Sequence, residues 1–169
     1  MPDYPPECSF LGVDARVCDL RLGWQPRLAG IKHLNRLENV LARNEWCDPA
    51  IREGLLLDHA GNVIEGTMSN LLIIDQGRVL TPVLDRCGVA GVMREMLLEA
   101  AFDLQLPIEI RALSLDDVLQ ADEVGLCNSL IGLWPVKSLG TRRWQEFAQL
   151  RRLQLALDES IANFELFGA

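Results

Sequence analysis

The sequence predicts an α+β domain whose sheet is largely antiparallel. Short runs of alternating or continuous apolar residues are bounded by turn signals, which marks strands. Other stretches repeat apolar residues at three- and four-residue spacing, which marks helices. Strands and helices are mixed without the regular alternation of a doubly wound sheet. The 169 residues suit one domain with a sizeable core.

The elements follow in order. The opening "MPDYPPECSF" is proline-rich and reads as a linker over residues 1–12, with the domain itself spanning 13–169. "VDARVCDL" alternates and gives a strand from Val13 to Leu20. "RLGWQPRLAG" is a loop punctuated by Gly23, Pro26 and Gly30. A helix is expected from His33 to Trp46, because Leu34, Leu37, Val40 and Leu41 share one apolar face. "EGLLLDHAGNVIEG" reads as two strands turning at Asp58–Asn62, and "SNLLIIDQGRVLTP" as a hairpin turning at Gln76–Gly77. Glu53 to Pro82 therefore forms a small antiparallel meander. "DRCGVAGVMREMLLEAAFDLQ" is a glycine-containing loop opening a helix from Val89 to Leu104. "PIEIRAL" is a strand, and Ser114 with Asp117 three residues on is a variant capping box. "ADEVGLCNSLIGLWPV" supplies a buried strand and a turn, and the last helix is expected from Gln145 to Phe164.

The bulk composition excludes several classes. Hydrophobic residues make up 49% and charged residues 24%, an ordinary globular balance. A formal net charge of −8 and the lack of a basic stripe argue against nucleic-acid binding. No apolar run is long enough to span a bilayer, and the N-terminus lacks the features of a signal peptide. A cytoplasmic protein is expected. Five cysteines without a CxxC pair argue for free thiols rather than a disulfide framework, and two histidines offer little to a metal. No GxSxG, GxxxxGK[ST] or GxGxxG motif occurs.

Three stretches could carry chemistry. Lys32 precedes an apolar helical pattern; it is either a solvent-facing lysine or an amine held near a helix start as a nucleophile. Glu65 follows two β-branched residues and precedes Gly66; it is either a solvated strand-end carboxylate or an inward one pairing with a buried cation. "GVAGVMRE" opens a helix, where free N–H groups can bind an anion, and "LCNSL" adds Asn128 and Ser129 as further donors. Ser69 and Asn70 more often satisfy a turn backbone than touch a ligand.

Taken together, "LRLGWQPRLAGIKHLNR", "EGTMSN", "GVAGVMR" and "ADEVGLCNSL" resemble the branched-chain aminotransferase superfamily of fold-type IV pyridoxal-phosphate enzymes. Within it, "AGIKHLNRLENVLAR" is most similar to the aminodeoxychorismate lyases. The resemblance implies a mixed, barrel-like sheet with flanking helices, the large domain of that fold. It implies pyridoxal 5'-phosphate as cofactor, with Lys32 as the lysine bonded to it and as the proton shuttle. Glu65 matches the carboxylate facing the pyridine nitrogen. Val92 and Met93, after Gly91, match the phosphate-binding amides, and Asn128 and Ser129 the second phosphate-binding turn. The implied reaction converts 4-amino-4-deoxychorismate to 4-aminobenzoate and pyruvate in a homodimer that serves folate synthesis. A branched-chain or D-amino-acid aminotransferase is the alternative, although those enzymes place a tyrosine where Leu37 stands. Members of the family carry a small N-terminal domain ahead of this one. These residues alone are therefore expected to hold half a site, with weak cofactor retention and little activity; a non-catalytic fragment is the further alternative.

Overall fold

The computed structural model describes the backbone of residues 4–167 and side chains through residue 162. The elements are helix α1 (Glu7–Leu11), strand β1 (Val13–Leu22), helix α2 (Leu37–Arg43), and strands β2 (Ile51–Asp58), β3 (Asn62–Gly66), β4 (Asn70–Asp75) and β5 (Arg78–Pro82). Helix α3 (Val92–Asp103), strands β6 (Ile108–Arg111) and β7 (Leu113–Ser114), and helix α4 (Leu115–Gln120) follow. Strands β8 (Glu123–Asn128), β9 (Gly132–Leu139) and β10 (Arg142–Arg143) precede helix α5 (Ala148–Phe167).

Six strands run in the order β4, β8, β9, β1, β2, β3, and the pairing of Glu65 with Asn70 joins the last to the first. The sheet thus closes on itself as a barrel-like ring. Four of its pairings are antiparallel: β2–β3, β3–β4, β4–β8 and β8–β9. β1 lies parallel to both β2 and β9. β5 and β6 extend the sheet outward from β4.

Side-chain alternation sends successive residues of one strand into different cores. Leu71 and Ile73 of β4 enter a cluster with Leu55, Val63, Leu126 and Trp134. Leu72 and Ile74 enter a second with Leu97, Ala101, Leu150 and Leu153, beneath α3 and α5. A third cluster joins Cys18, Leu22, Ala42 and Trp46 to Leu56 and Ile64. Leu55, Leu71, Leu72, Leu97 and Leu126 are wholly buried. The continuous apolar runs are therefore strands covered on both faces.

Several expectations change in detail. The helix expected over 33–46 is only Leu37–Arg43, so Lys32 stands on a loop rather than at a helix start. Its apolar face is also not core. Leu34, Leu37, Val40 and Leu41 are exposed at 103%, 63%, 54% and 52%, whereas Ala42 is fully buried. Periodicity identifies residues that share a face, not what covers it. α3 begins at Val92 rather than Val89, because Val89 pairs with Gly30 in an isolated parallel bridge. α5 begins at Ala148 rather than Gln145. The Glu123 carboxylate of β8 accepts from Gln149 N and Leu150 N, both at 2.8 Å, and so holds this helix start from another element. The capping box is present: Asp117 N donates to Ser114 Oγ at 3.1 Å, and Ser114 N to Asp117 Oδ2 at 2.7 Å. Inside the stretch expected as linker, residues 7–11 form α1, with Cys8 buried.

Candidate active site

The sequence offered Lys32, Glu65, Val92, Met93, Asn128 and Ser129 as candidates, and all six line one hollow of about 400 Å³. They come from four separate parts of the chain, brought together by ring closure. Lys32 lies on the loop after β1, Glu65 near the end of β3, Val92 and Met93 at the start of α3, and Asn128 at the end of β8.

Glu65 sits on the ring strand that pairs with Asn70, so its carboxyl is 3% exposed. Val89 N donates to Glu65 Oε2 at 2.8 Å, but Glu65 Oε1 is buried with no partner. Burial pushes its pKa up to about 7, with the Glu53 carboxylate adding to the rise, against the opposing pull of the Val89 amide, the Arg36 guanidinium and the nearby Asn39 side chain. A carboxyl with one orphaned oxygen in a hollow is suited to a ligand that brings an N–H or a positive charge.

Residues 88–91 hold the site together. Gly30 N donates to Gly88 O and Ala90 N to Gly30 O, both at 3.0 Å, which fastens the lysine loop to this segment. Gly30 adopts φ +78°, a conformation that favours glycine. Asn70 grips the same segment from the other side: its Nδ2 donates to Val89 O at 2.6 Å, and its Oδ1 accepts from Gly91 N at 3.1 Å. Val89 therefore touches the lysine loop, the buried carboxyl and the Asn70 clamp.

The Asn70 clamp sets where α3 begins. Gly91 is its N-cap residue, no side chain caps the helix, and the first backbone bond runs from Glu95 N to Gly91 O at 3.2 Å. The amides of Val92 and Met93 precede that bond and have no intrahelical acceptor. Both residues line the hollow, and an anion bound at this helix start would satisfy such amides and be favoured by the helix dipole.

Asn128 is committed differently. Its Nδ2 donates to Met68 O at 2.9 Å, and its Oδ1 accepts from Leu130 N at 2.8 Å and Ile131 N at 3.0 Å. The side chain shapes the turn, while Ser129 beside it is exposed on the rim. Lys32 is also exposed, with no hydrogen bond or ion pair to another described residue. Cys127 lines the same hollow, but burial pushes its thiol up to about 12, which disqualifies it as a nucleophile near neutral pH.

Sequence reasoning missed three contributors. Tyr4 reaches the hollow from the N-terminal segment, its ring set edgewise to Trp134. Asn39 lines it from α2, with Nδ2 donating to Thr67 O at 3.1 Å and a buried, unpartnered Oδ1. Glu53 holds the turn behind Glu65. None carries a local signal; the position of Asn39 four residues before Arg43 on a short helix reads as an ordinary polar face.

Comparison with known proteins identifies the family and the fold. The family model for amino-transferase class IV matches residues 7–139. The chain belongs to the class IV aminotransferase family. Among curated class IV relatives, it is 44% identical over 128 residues to an aminodeoxychorismate lyase from Vibrio harveyi, covering 76% of this chain and 47% of the relative. It is 32% identical over 139 residues to a probable branched-chain-amino-acid aminotransferase from Thermotoga maritima, covering 80% and 49%. The chain thus spans about half the length of the curated relatives it matches. Among solved class IV structures, 4-amino-4-deoxychorismate lyase from Pseudomonas aeruginosa superposes with a TM-score of 0.91 at 49% identity, over 94% of this chain and 58% of that one. The barrel-like mixed sheet is the class IV fold.

Among the described residues, no helix is long and apolar enough to cross a membrane, and no cluster of His, Cys, Asp and Glu is set to hold a metal.

Proposed function

We propose that this chain forms the pyridoxal 5'-phosphate site of a lyase that converts 4-amino-4-deoxychorismate to 4-aminobenzoate and pyruvate. In this reading the enzyme works as a cytoplasmic homodimer in folate synthesis. One observation carries the proposal: an unpaired amine, a buried carboxyl with an orphaned oxygen and two free helix amides line the same hollow. The similarity to two aminodeoxychorismate lyases, at 44% and 49% identity, supports the choice of reaction.

These residues fit the cofactor. The unpartnered Glu65 Oε1 suits a protonated ring nitrogen, and the Val92 and Met93 amides suit a phosphate, with the exposed Ser129 lining the same hollow. When bound, pyridoxal phosphate supplies an aldehyde for the substrate amine and a conjugated ring that accepts the electron pair left on the adjacent carbon.

The chain's own residues then have distinct tasks. Lys32 Nζ would hold the cofactor through its aldehyde, and with a substrate amine bound there instead it would be a free amine in the hollow. That Nζ removes the proton from the amine-bearing carbon and gives a proton to the departing enolpyruvyl group. Glu65, as the anion, would hold a proton on the ring nitrogen; its pKa, raised by burial in the free protein, would be lowered by a cation facing it. Val92 and Met93 orient the phosphate through backbone amides, so the acidic character of the chain does not repel it.

Treatment with pyridoxal phosphate and borohydride, followed by peptide mass mapping, tests the site. The adduct is expected on the peptide containing Lys32 and absent from Lys32→Ala. An adduct on a different lysine, or an unchanged yield in Lys32→Ala, overturns the assignment. Pyruvate release from aminodeoxychorismate, set against keto-acid formation from branched-chain amino acids, separates a lyase from an aminotransferase.

A further inference from the structure

The turn that carries Glu65 is held from behind by a second carboxylate. Glu53 of β2 is 1% exposed. Its Oε1 accepts from Gly54 N at 2.8 Å, from Thr67 N at 3.0 Å and from Thr67 Oγ1. Its Oε2 accepts from Ser69 Oγ at 2.7 Å and Met68 N at 3.2 Å. No cation pairs with it among the described residues. A buried carboxylate is costly unless donors replace its water, and here five do.

Four of those donors belong to the consecutive residues Thr67, Met68 and Ser69, all of which line the hollow. The approach is close enough that a Cβ on Gly66 would fall 2.8 Å from Glu53 Oε2 and 2.3 Å from Ser69 Oγ. The strands on either side of this turn pair through one residue couple, Glu65 with Asn70. Backbone bonds from Gly66 N to Ser69 O at 2.6 Å and from Thr67 N to Gly54 O at 3.0 Å close the turn, and Asn39 and Asn128 donate to Thr67 O and Met68 O. The carboxylate behind it takes four further hydrogen bonds from residues 67–69 and ties them to β2. Glu65 and Asn70, the residues flanking the turn, are the ring-facing carboxyl and the clamp on the α3 start.

We propose that Glu53 is a positioning residue, an anion anchored behind residues 66–69 that sets where Glu65 and Asn70 meet the ligand. It touches no ligand itself and acts through the turn. Its negative charge also reaches Glu65 and disfavours a second anion there, which couples the two carboxyls electrostatically as well as mechanically. The proposal rests on the pyridoxal phosphate reading only for the choice of ligand probe.

Two variants of the whole chain test it: Glu53→Gln, which keeps the shape and removes the charge, and a double variant combining Thr67→Val with Ser69→Ala, which keeps the charge and removes two donors. Ligand-free protein is followed by carbon-13 titration of the Glu65 carboxyl and by amide hydrogen exchange at Thr67 and Met68; pyridoxal 5'-phosphate affinity is measured by calorimetry. In Glu53→Gln the Glu65 midpoint is expected to fall by about half a pH unit or more. Exchange at Thr67 and Met68 should be roughly tenfold faster, and the Kd about tenfold weaker. The double variant should show the faster exchange and weaker Kd without the shifted midpoint. A merely structural residue would lower the melting temperature while leaving the Glu65 titration and the affinity of the folded protein unchanged, and that result overturns the proposal. If Glu53→Gln does not fold, the double variant decides: unaltered exchange and Kd overturn the proposal. If the wild-type chain does not bind pyridoxal phosphate, the cofactor reading fails, while the titration and exchange data still judge Glu53.

Discussion

The lysine segment and the carboxyl segment of the hollow are built in opposite ways. Residues 28–41 run over the surface: Lys32 is unpaired among the described residues, and Leu34, Leu37, Val40 and Leu41 are all more than half exposed. Residues 53–70 are over-determined, with Glu53, Glu65, Ser69 and Asn70 each buried below a tenth and bonded across strands. The contrast separates two tasks. On the proposed reading, the amine that would attach, detach and move a proton stands exposed, while the carboxyl that would face the cofactor ring is fixed by its hydrogen bonds before any ligand arrives.

Three changes sharpen or break this contrast. The largest effect is expected from removing the charge of Glu65. In the folded, ligand-free chain this carboxyl keeps its proton to about pH 7, above its ordinary value of 4.5. Between those values the folded state binds more protons than the unfolded one, so stability falls as pH rises through the window and levels off above it. At about 1.4 kcal/mol per pH unit, the whole effect is roughly 3 kcal/mol. Denaturant unfolding of Glu65→Gln beside the wild type from pH 4 to 8 should show the wild type losing stability relative to the variant. A constant difference would mean that Glu65 is solvated, and the rigid half of the contrast would fail.

An intermediate effect is expected from Gly91→Ala. The added Cβ would lie 2.3 Å from Asn70 Oδ1, so the clamp on the α3 start must move. A loss of about 1–3 kcal/mol in unfolding free energy is expected, with a weaker Kd for pyridoxal phosphate by calorimetry. The smallest effect is expected on the other side. Leu37→Ser, at an exposed position, should change unfolding free energy of the isolated chain by less than about 0.5 kcal/mol. A loss above about 2 kcal/mol in that measurement would show that α2 is packed as core, as its periodicity suggests, and would erase the contrast.

The strands were legible because their signals are local. Asp58–Asn62 and Gln76–Gly77 carry turn chemistry between apolar runs, and β2, β3, β4 and β5 fall where those turns allow. Ser114 with Asp117 was equally readable, since both partners lie within one helical turn. The parallel seating of β1 between β2 and β9 was not, because its partners begin 38 and 119 residues after Val13. The candidate site was readable as residue types at motif positions. Its supports were not: Asn70 works on residues 89–91, and Glu53 on residues 67–69.

The amino-acid order alone therefore determined where most strands and helices fall, and which residues offer an amine, a carboxyl and the amides of a helix start as candidates for a site. Those properties reside in single residues or in neighbours within a turn. Only the tertiary structure decided that these groups share one hollow, that Glu65 keeps an oxygen unpaired, and that the apolar face of α2 looks outward. The reason is that burial and electrostatic environment are set by what packs against a residue, and in a closed ring those neighbours come from distant parts of the chain.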